Sequence, residues 1–314
     1  MKLDSKDKQI LSILDWDARM PITKIAKQIK LNKDVVRYRI KNLEKEKVIK
    51  GYYTLINTTK LGFLSVRTYF DLTDYNQKII KEMNKDLDKI FNAGYIFSIE
   101  GKYQLGIMSW EKSMYQFHNK LKKFRNKYGK HILKEEHSIF TIMHHFPLKI
   151  LSKEKKETKT LKEEEIVIID KNEEEILKEL SKNSRSTTTE LAKKLNIPQR
   201  TIAYKIKELE KKNIILGFRA IIDTHQLQLD NYYLEIFTHN NKQVNQIKTF
   251  AEQHENCTYA SEIFQGADIE LETEFENKHE LRLFIEKLKD LFPEIKKITT
   301  QSTTEYFKIS YFPE

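Results

Sequence analysis

Two stretches of this chain carry side chains suited to reading a base pair. Residues 33–41 read KDVVRYRIK and residues 199–207 read QRTIAYKIK. At helical period, Val36, Ile40 and Leu43 fall on one face, and so do Ile202, Ile206 and Leu209. The outward face of the first stretch then holds Lys33, Asp34, Arg37, Tyr38 and Lys41, with Arg39 at its edge. In the second it holds Gln199, Arg200, Thr201, Tyr204 and Lys207, with Lys205 in the place of Arg39. Arg and Gln reach base edges bidentately, whereas Lys mostly meets phosphate. These twelve residues are the candidate contacts to double-stranded DNA. The other chemistry-bearing residues lack a working spacing. His144 and His145 are adjacent and would point to opposite faces of a strand, and no HExxH appears. The single cysteine, Cys257, excludes an intrachain disulfide and a cysteine zinc cluster, and reads as a buried thiol. There is no GxxxxGK or GxGxxG to cradle a phosphate. No catalytic residue, metal ligand or cofactor is assigned.

A duplication positions the two stretches. Residues 3–61 align without a gap with 169–227, 166 positions on, and 19 of the 59 pairs are identical. Each copy opens with a capping-box spacing, Asp4 with Asp7 and Asp170 with Glu173. A stripe of Ile10, Leu11 and Leu14 follows, then a second helix with Ile25, Ala26 and Ile29. Asn32 caps the third helix, and Pro198 suits the first position of its copy. Two helices joined by a tight turn, the second rich in basic residues, make a helix-turn-helix. After residue 62 the pattern becomes β-α-β-β-α-β, and it recurs in the second copy. The expected fold class is α+β: two copies of a winged helix-turn-helix followed by a ferredoxin-like domain. The boundaries are 1–62, 63–150, a charged connector at 151–166 read as mobile or loosely helical, 167–228, and 229–314. One face of each ferredoxin-like sheet must be covered, most simply by another such sheet.

Charge is distributed unevenly over the 314 residues. The net charge is +10, with +7 over residues 1–50, +6 over 63–149, +3 over 167–216 and −7 over 229–314. Basic blocks suit a polyanion through counterion release. The +6 and −7 blocks favour pairing of the two ferredoxin-like domains within one chain. No apolar run approaches the ~18 residues of a membrane span. The chain is expected to be cytoplasmic, with no membrane partner.

The phrase VVRYRIKNLEKEKVIKGY, its copy TIAYKIKELEKKNIILGF, the start LDSKDKQIL and the following LINTTKLG resemble the Lrp/AsnC family of leucine-responsive, feast/famine regulators. The resemblance implies DNA-binding transcription regulators whose ferredoxin-like domains pair into dimers and larger homo-oligomers. It places base reading on the third helix of each copy. It also implies an amino-acid effector near a Gly-x-x-Asp hairpin. Here the matching positions are Gly101 and Tyr103 in the first copy, with Gln104 where Asp stands in the family, and Gly266 and Asp268 in the second, one residue shorter. The tandem form suggests a built-in pseudo-dimer and an asymmetric DNA site. Two other readings compete. The siroheme decarboxylases share this build, but their His-Asn-Tyr-x-Arg phrase is absent, and Asp268, Glu270, Glu272 and Glu274 suit a polycarboxylate poorly. An architectural DNA-coating protein would need the same basic helices.

Overall fold

A computed structural model of the chain describes residues 3–73, 76–152, 154, 156–162 and 165–313. The first copy begins with three helices, α1 (Ser5–Trp16), α2 (Ile22–Ile29) and α3 (Lys33–Lys45), and a strand β1 (Ile49–Ile56). Asp4 closes a capping box with Asp7 at the start of α1. Ile10, Leu11 and Leu14 are fully buried. Each such side chain contributes about 1.5–3 kcal/mol of apolar burial. The second copy repeats the set as α6 (Lys171–Lys182), α7 (Thr188–Leu195), α8 (Gln199–Lys211) and β7 (Ile215–Ile222). Here Pro198 is the cap residue itself, and the helix starts one residue later, at Gln199.

The two helical units share one apolar core. Strands β1 and β7 pair antiparallel with each other, so each copy lends one strand to a common two-stranded sheet. Arg19 and Arg185, identical positions of the repeat, both reach across. Arg19 Nη1 donates to the Ser184 and Ser186 carbonyls at 2.6 and 3.0 Å, and Arg185 Nη1 to Tyr52 Oη at 3.1 Å.

The remaining elements are β2 (Leu64–Leu72), α4 (Gln77–Phe91), β3 (Tyr95–Glu100), β4 (Leu105–Glu111), α5 (Met114–Tyr128) and β5 (Ile132–His145) in the first copy. Their counterparts are β8 (Asp230–Thr238), α9 (Asn241–Gln253), β9 (Cys257–Phe264), β10 (Ile269–Phe275), α10 (Lys278–Leu291) and β11 (Ile295–Ile309). The fold is α+β, and each copy lays its four strands in ferredoxin-like order, β5-β2-β4-β3 and β11-β8-β10-β9. The two sheets then join at both edges. The second half of β11 pairs with β3, and the second half of β5 pairs with β9. The first halves of the same two strands pair with β8 and β2. Eight antiparallel strands therefore close on themselves as a barrel, which removes the unpaired edges.

The period-2 alternation decides what faces each way. Val66 and Phe70 point outward onto α4 and α5, and Ile269, Leu271 and Phe275 onto α9 and α10. Arg67, Tyr69, Glu270, Glu272 and Glu274 point inward and line a cavity of about 630 Å³. Strands β1 and β7 cover one side of it.

The charged connector is not a loose helix. Residues Lys159–Lys162 form a strand, β6, on the edge of β5. Lys156 Nζ donates to Ser12, and Lys159 Nζ sits 4.6 Å from the Trp16 ring centre. These contacts and buried Leu161 tie the segment to α1 and the sheet.

Candidate nucleic-acid interface and barrel cavity

In α3, the buried side chains are Val36, Ile40 and Leu43, and in α8 they are Ile202, Ile206 and Leu209. This burial turns the opposite faces to solvent. Tyr38 is 71% exposed and Tyr204 63%, although both are large aromatic residues. Lys33, Asp34, Arg37 and Lys41 are exposed around Tyr38; Gln199, Arg200 and Lys207 are exposed around Tyr204. Thr201 is half-buried. Arg37 Nη1 bonds Asp34 on the surface, a solvent-screened pair of small energy. Gln199 Nε2 donates to Thr188 Oγ1 at 3.0 Å, which links α8 to α7. The turn before each of these helices uses a left-handed residue, Lys30 at φ 56° and Asn196 at φ 54°.

Two of the expected contacts have another task. Arg39 Nη1 donates to Asp4 Oδ2 and Asp7 Oδ1, both at 2.8 Å, and so locks α3 onto the capped end of α1. Lys205 pairs with Asp170 in the same way. A guanidinium held by two carboxylates is not free to fork onto a guanine edge. These partners lie 32 to 35 residues away in sequence, beyond the reach of periodicity, which put Arg39 at the edge of the outward face.

The hairpin residues are also structural. Tyr103 is buried, stacks on Tyr69 at 5.3 Å and donates its hydroxyl to Glu136. Asp268 Oδ2 accepts from the Thr238 amide at 2.6 Å. Gly101 and Gly266, at φ 143° and 128°, approach the opposite copy at Thr300 and Ser138.

His144 and His145 do point apart. His144 Nδ1 meets Thr160 Oγ1 at 2.9 Å, whereas His145 is buried and packs on Tyr259 at 4.4 Å. Burial, then the charges of Arg219 and Lys159, keep the His145 imidazole well below its usual range and therefore neutral. Burial pushes the Cys257 thiol up to about 12, so it is inert as a nucleophile.

The barrel interior was read from sequence only as an acidic hairpin. Arg67 Nη1 bonds Glu270 Oε1 at 2.5 Å, and its guanidinium lies between the rings of Tyr69 and Phe140 at 4.4 and 5.0 Å. Burial opposes that charge, but Glu270, Tyr69 and Glu235 outweigh it and hold Arg67 protonated. Arg219, on β7, bonds Asp15 Oδ1 at 2.5 Å and the Asp15 carbonyl at 2.8 Å. Its guanidinium lies 4.9 Å from the Trp16 ring centre. The signal for this interior was the alternation IELETEF, whose inward positions are all glutamate.

Among the described residues no helix is long and apolar enough to cross a membrane. A winged helix-turn-helix DNA-binding family model matches residues 3–50 and 169–215. The transcriptional regulator LrpA of Pyrococcus horikoshii is 48% identical over 61 residues, 19% of this chain and 43% of that protein. LrpA of Pyrococcus abyssi is 34% identical over 110 residues, 35% of this chain and 77% of that protein. The chain thus spans less than half of the first and about three quarters of the second. A crystal structure of the siroheme decarboxylase NirDL superposes with a TM-score of 0.67 over 98% of this chain and 94% of that one. Its identity is 10%, so the likeness is one of fold. With its helical units matched twice and regulator relatives aligned along most of their own length, the chain belongs to the Lrp/AsnC family of transcription regulators, in a tandem duplicated form.

Proposed function

We propose that this chain binds an asymmetric duplex site with α3 and α8 together, as a pseudo-dimer made within one polypeptide. The observation that carries the reading is the presence of two basic, tyrosine-bearing helix faces, both exposed, on units welded by the pairing of β1 with β7. A shared sheet fixes the separation of the two helices, so the spacing of the two half-sites is fixed as well. The faces differ: Lys33, Asp34 and Arg37 of one stand where Gln199, Arg200 and Ala203 stand in the other. Different readers select different half-sites, which argues against a palindrome. The pairing of the ferredoxin-like domains is supported by ion pairs between the two copies, Arg67 with Glu270 and Lys308 with Asp88, both at 2.5 Å, of which the first follows the signs of the two charge blocks.

Selection of bound sequences from random duplexes tests the reading. The expected product is one non-palindromic site with two unlike halves at constant spacing. A palindrome, or no enrichment at physiological salt, would overturn it; the latter result would indicate a DNA-coating protein.

The second reading is a tetrapyrrole enzyme, favoured by the fold likeness to the siroheme decarboxylase over nearly the whole chain. The cavity chemistry counts against it. Glu270, already paired with Arg67, and Glu272 and Glu274, which have no cation among the described residues, face the cavity and offer the carboxylates of such a substrate no free positive partner. Titration with siroheme, followed by its Soret band, separates the two readings: a shifted band favours the enzyme.

A further inference from the structure

The barrel cavity is asymmetric in a way that points to a ligand. In the duplication, Tyr69 corresponds to Glu235. Tyr69 pairs with Gly106, and Glu235 pairs with Glu270. The register therefore matches Gly106, Met108 and Trp110 of the first copy with Glu270, Glu272 and Glu274 of the second. One half of the cavity offers a thioether and an indole where the other offers three carboxylates.

Two of the three glutamates lack a cation among the described residues. Arg67 pairs with Glu270, Arg219 with Asp15 and Lys50 with Asp223. Glu272 and Glu274 have no ion pair among the described residues. Their one shared donor is Asn231 Nδ2, at 2.9 and 3.1 Å. Glu274 is only 6% exposed, and its Oε2 has no hydrogen-bond partner. A buried carboxyl oxygen without a partner is costly. Burial pushes Glu272 up to about 7 and, with Glu272 beside it, Glu274 up to about 8. The same cavity already shows how it holds a cation: Arg67 lies between two aromatic rings with Glu270 at its end. Around Glu272 stand the rings of Tyr233 and Tyr306, hydroxyl to hydroxyl at 2.9 Å.

We propose that the cavity binds an organic cation with an ammonium head and an apolar body, the head at Glu272 and Glu274 and the body against Met108 and Trp110. A volume of about 630 Å³ suits one such molecule. Rings and carboxylates together recognise ammonium groups by cation–π and charge-assisted contacts. A ligand with a carboxylate head would meet the two glutamates at close range. The proposal does not depend on the DNA reading, because its test contains no DNA.

The test is calorimetric titration of the full chain with 2-phenylethylamine and with 3-phenylpropionate, which share a ring and differ in the sign of the head. The amine is expected to bind at least about tenfold more tightly. The double variant Glu272→Gln/Glu274→Gln should lose that preference. Glu274→Gln alone should weaken it, and serves if the double variant fails to fold. Trp110→Ala should weaken the amine while keeping the preference for it. Equal binding of the two probes, tighter binding of the acid, no heat with the amine at millimolar concentration, or an undiminished preference in folded glutamine variants would each overturn the proposal.

Discussion

Replacing Asp15 with Ala should open the junction between the first helical unit and the barrel. Asp15 is 2% exposed and makes three contacts to two segments. Its Oδ1 and carbonyl accept from Arg219, on the strand lent by the other copy, and its Oδ2 accepts from the Leu148 amide at 2.9 Å. The substitution leaves the Arg219 guanidinium buried with only carbonyl partners, Asp15 and Phe146. Removing one member of a buried pair costs about 3–5 kcal/mol, because the other charge stays desolvated. Asp15→Asn keeps one side-chain acceptor, for Arg219 or for the Leu148 amide but not for both, and should cost less than Asp15→Ala. The duplication sets Ser181 and Tyr53 at the positions equivalent to Asp15 and Arg219. The double change Asp15→Ser/Arg219→Tyr removes both charges and should be milder than Asp15→Ala. Urea unfolding followed by tryptophan fluorescence suits the question, since Trp16 packs against Arg219. A loss below about 1 kcal/mol for Asp15→Ala, or a double variant no milder than the single, would refute the reasoning.

Other outcomes can be checked alongside. Arg37→Ala should weaken a selected site by about 1–3 kcal/mol and random duplex by less; equal loss on both in mobility-shift titrations would make Arg37 a phosphate contact. Arg39→Ala should lower the unfolding midpoint, because it frees α3 from Asp4 and Asp7, while barely changing DNA affinity once the protein is folded. Lys30→Gly, at a left-handed turn position, should stabilise by up to about 1 kcal/mol in the same urea assay. Stability should fall as pH rises from about 6.5 to 8. Glu272 and Glu274 keep protons in the folded chain up to about 7 and 8, whereas the unfolded chain releases them near 4.5. Their stabilisation is therefore complete below 4.5 and is lost by about 8, at about 1.4 kcal/mol per proton and pH unit. His137, lowered by burial to about 4, acts oppositely, but only below its ordinary 6.5. Urea midpoints across that window should flatten in Glu272→Gln/Glu274→Gln.

Much of the fold was legible because its signals are local. The spacing of Val36, Ile40 and Leu43, the caps at Asp4 and Asp170 and the repeat itself depend on neighbours within one helix or one copy. Barrel closure is different. It depends on β5 and β11 each bending to serve two neighbours, and a run such as ILKEEHSIFTIMHH carries no mark of where the partner changes. The cavity was hidden for a related reason. In sequence the alternating glutamates read as an acidic hairpin, and only the second sheet, brought across by folding, encloses them. The opposed charge blocks pointed towards that meeting, and Arg67 with Glu270 is where it is realised at atomic scale. The ion pairs of Arg39 and Lys205, at the edge of the outward faces, were not legible because their carboxylates are distant in sequence but adjacent in space.

Because both halves of the barrel come from a single translation product, association is prepaid. A regulator assembled from separate subunits falls apart on dilution, exchanges protomers with its relatives and gains occupancy steeply with abundance. Here strands β3 and β11, and β5 and β9, are tethered, so their local concentration does not depend on how many copies the cell makes. The barrel should therefore persist on dilution to concentrations at which separate subunits would part.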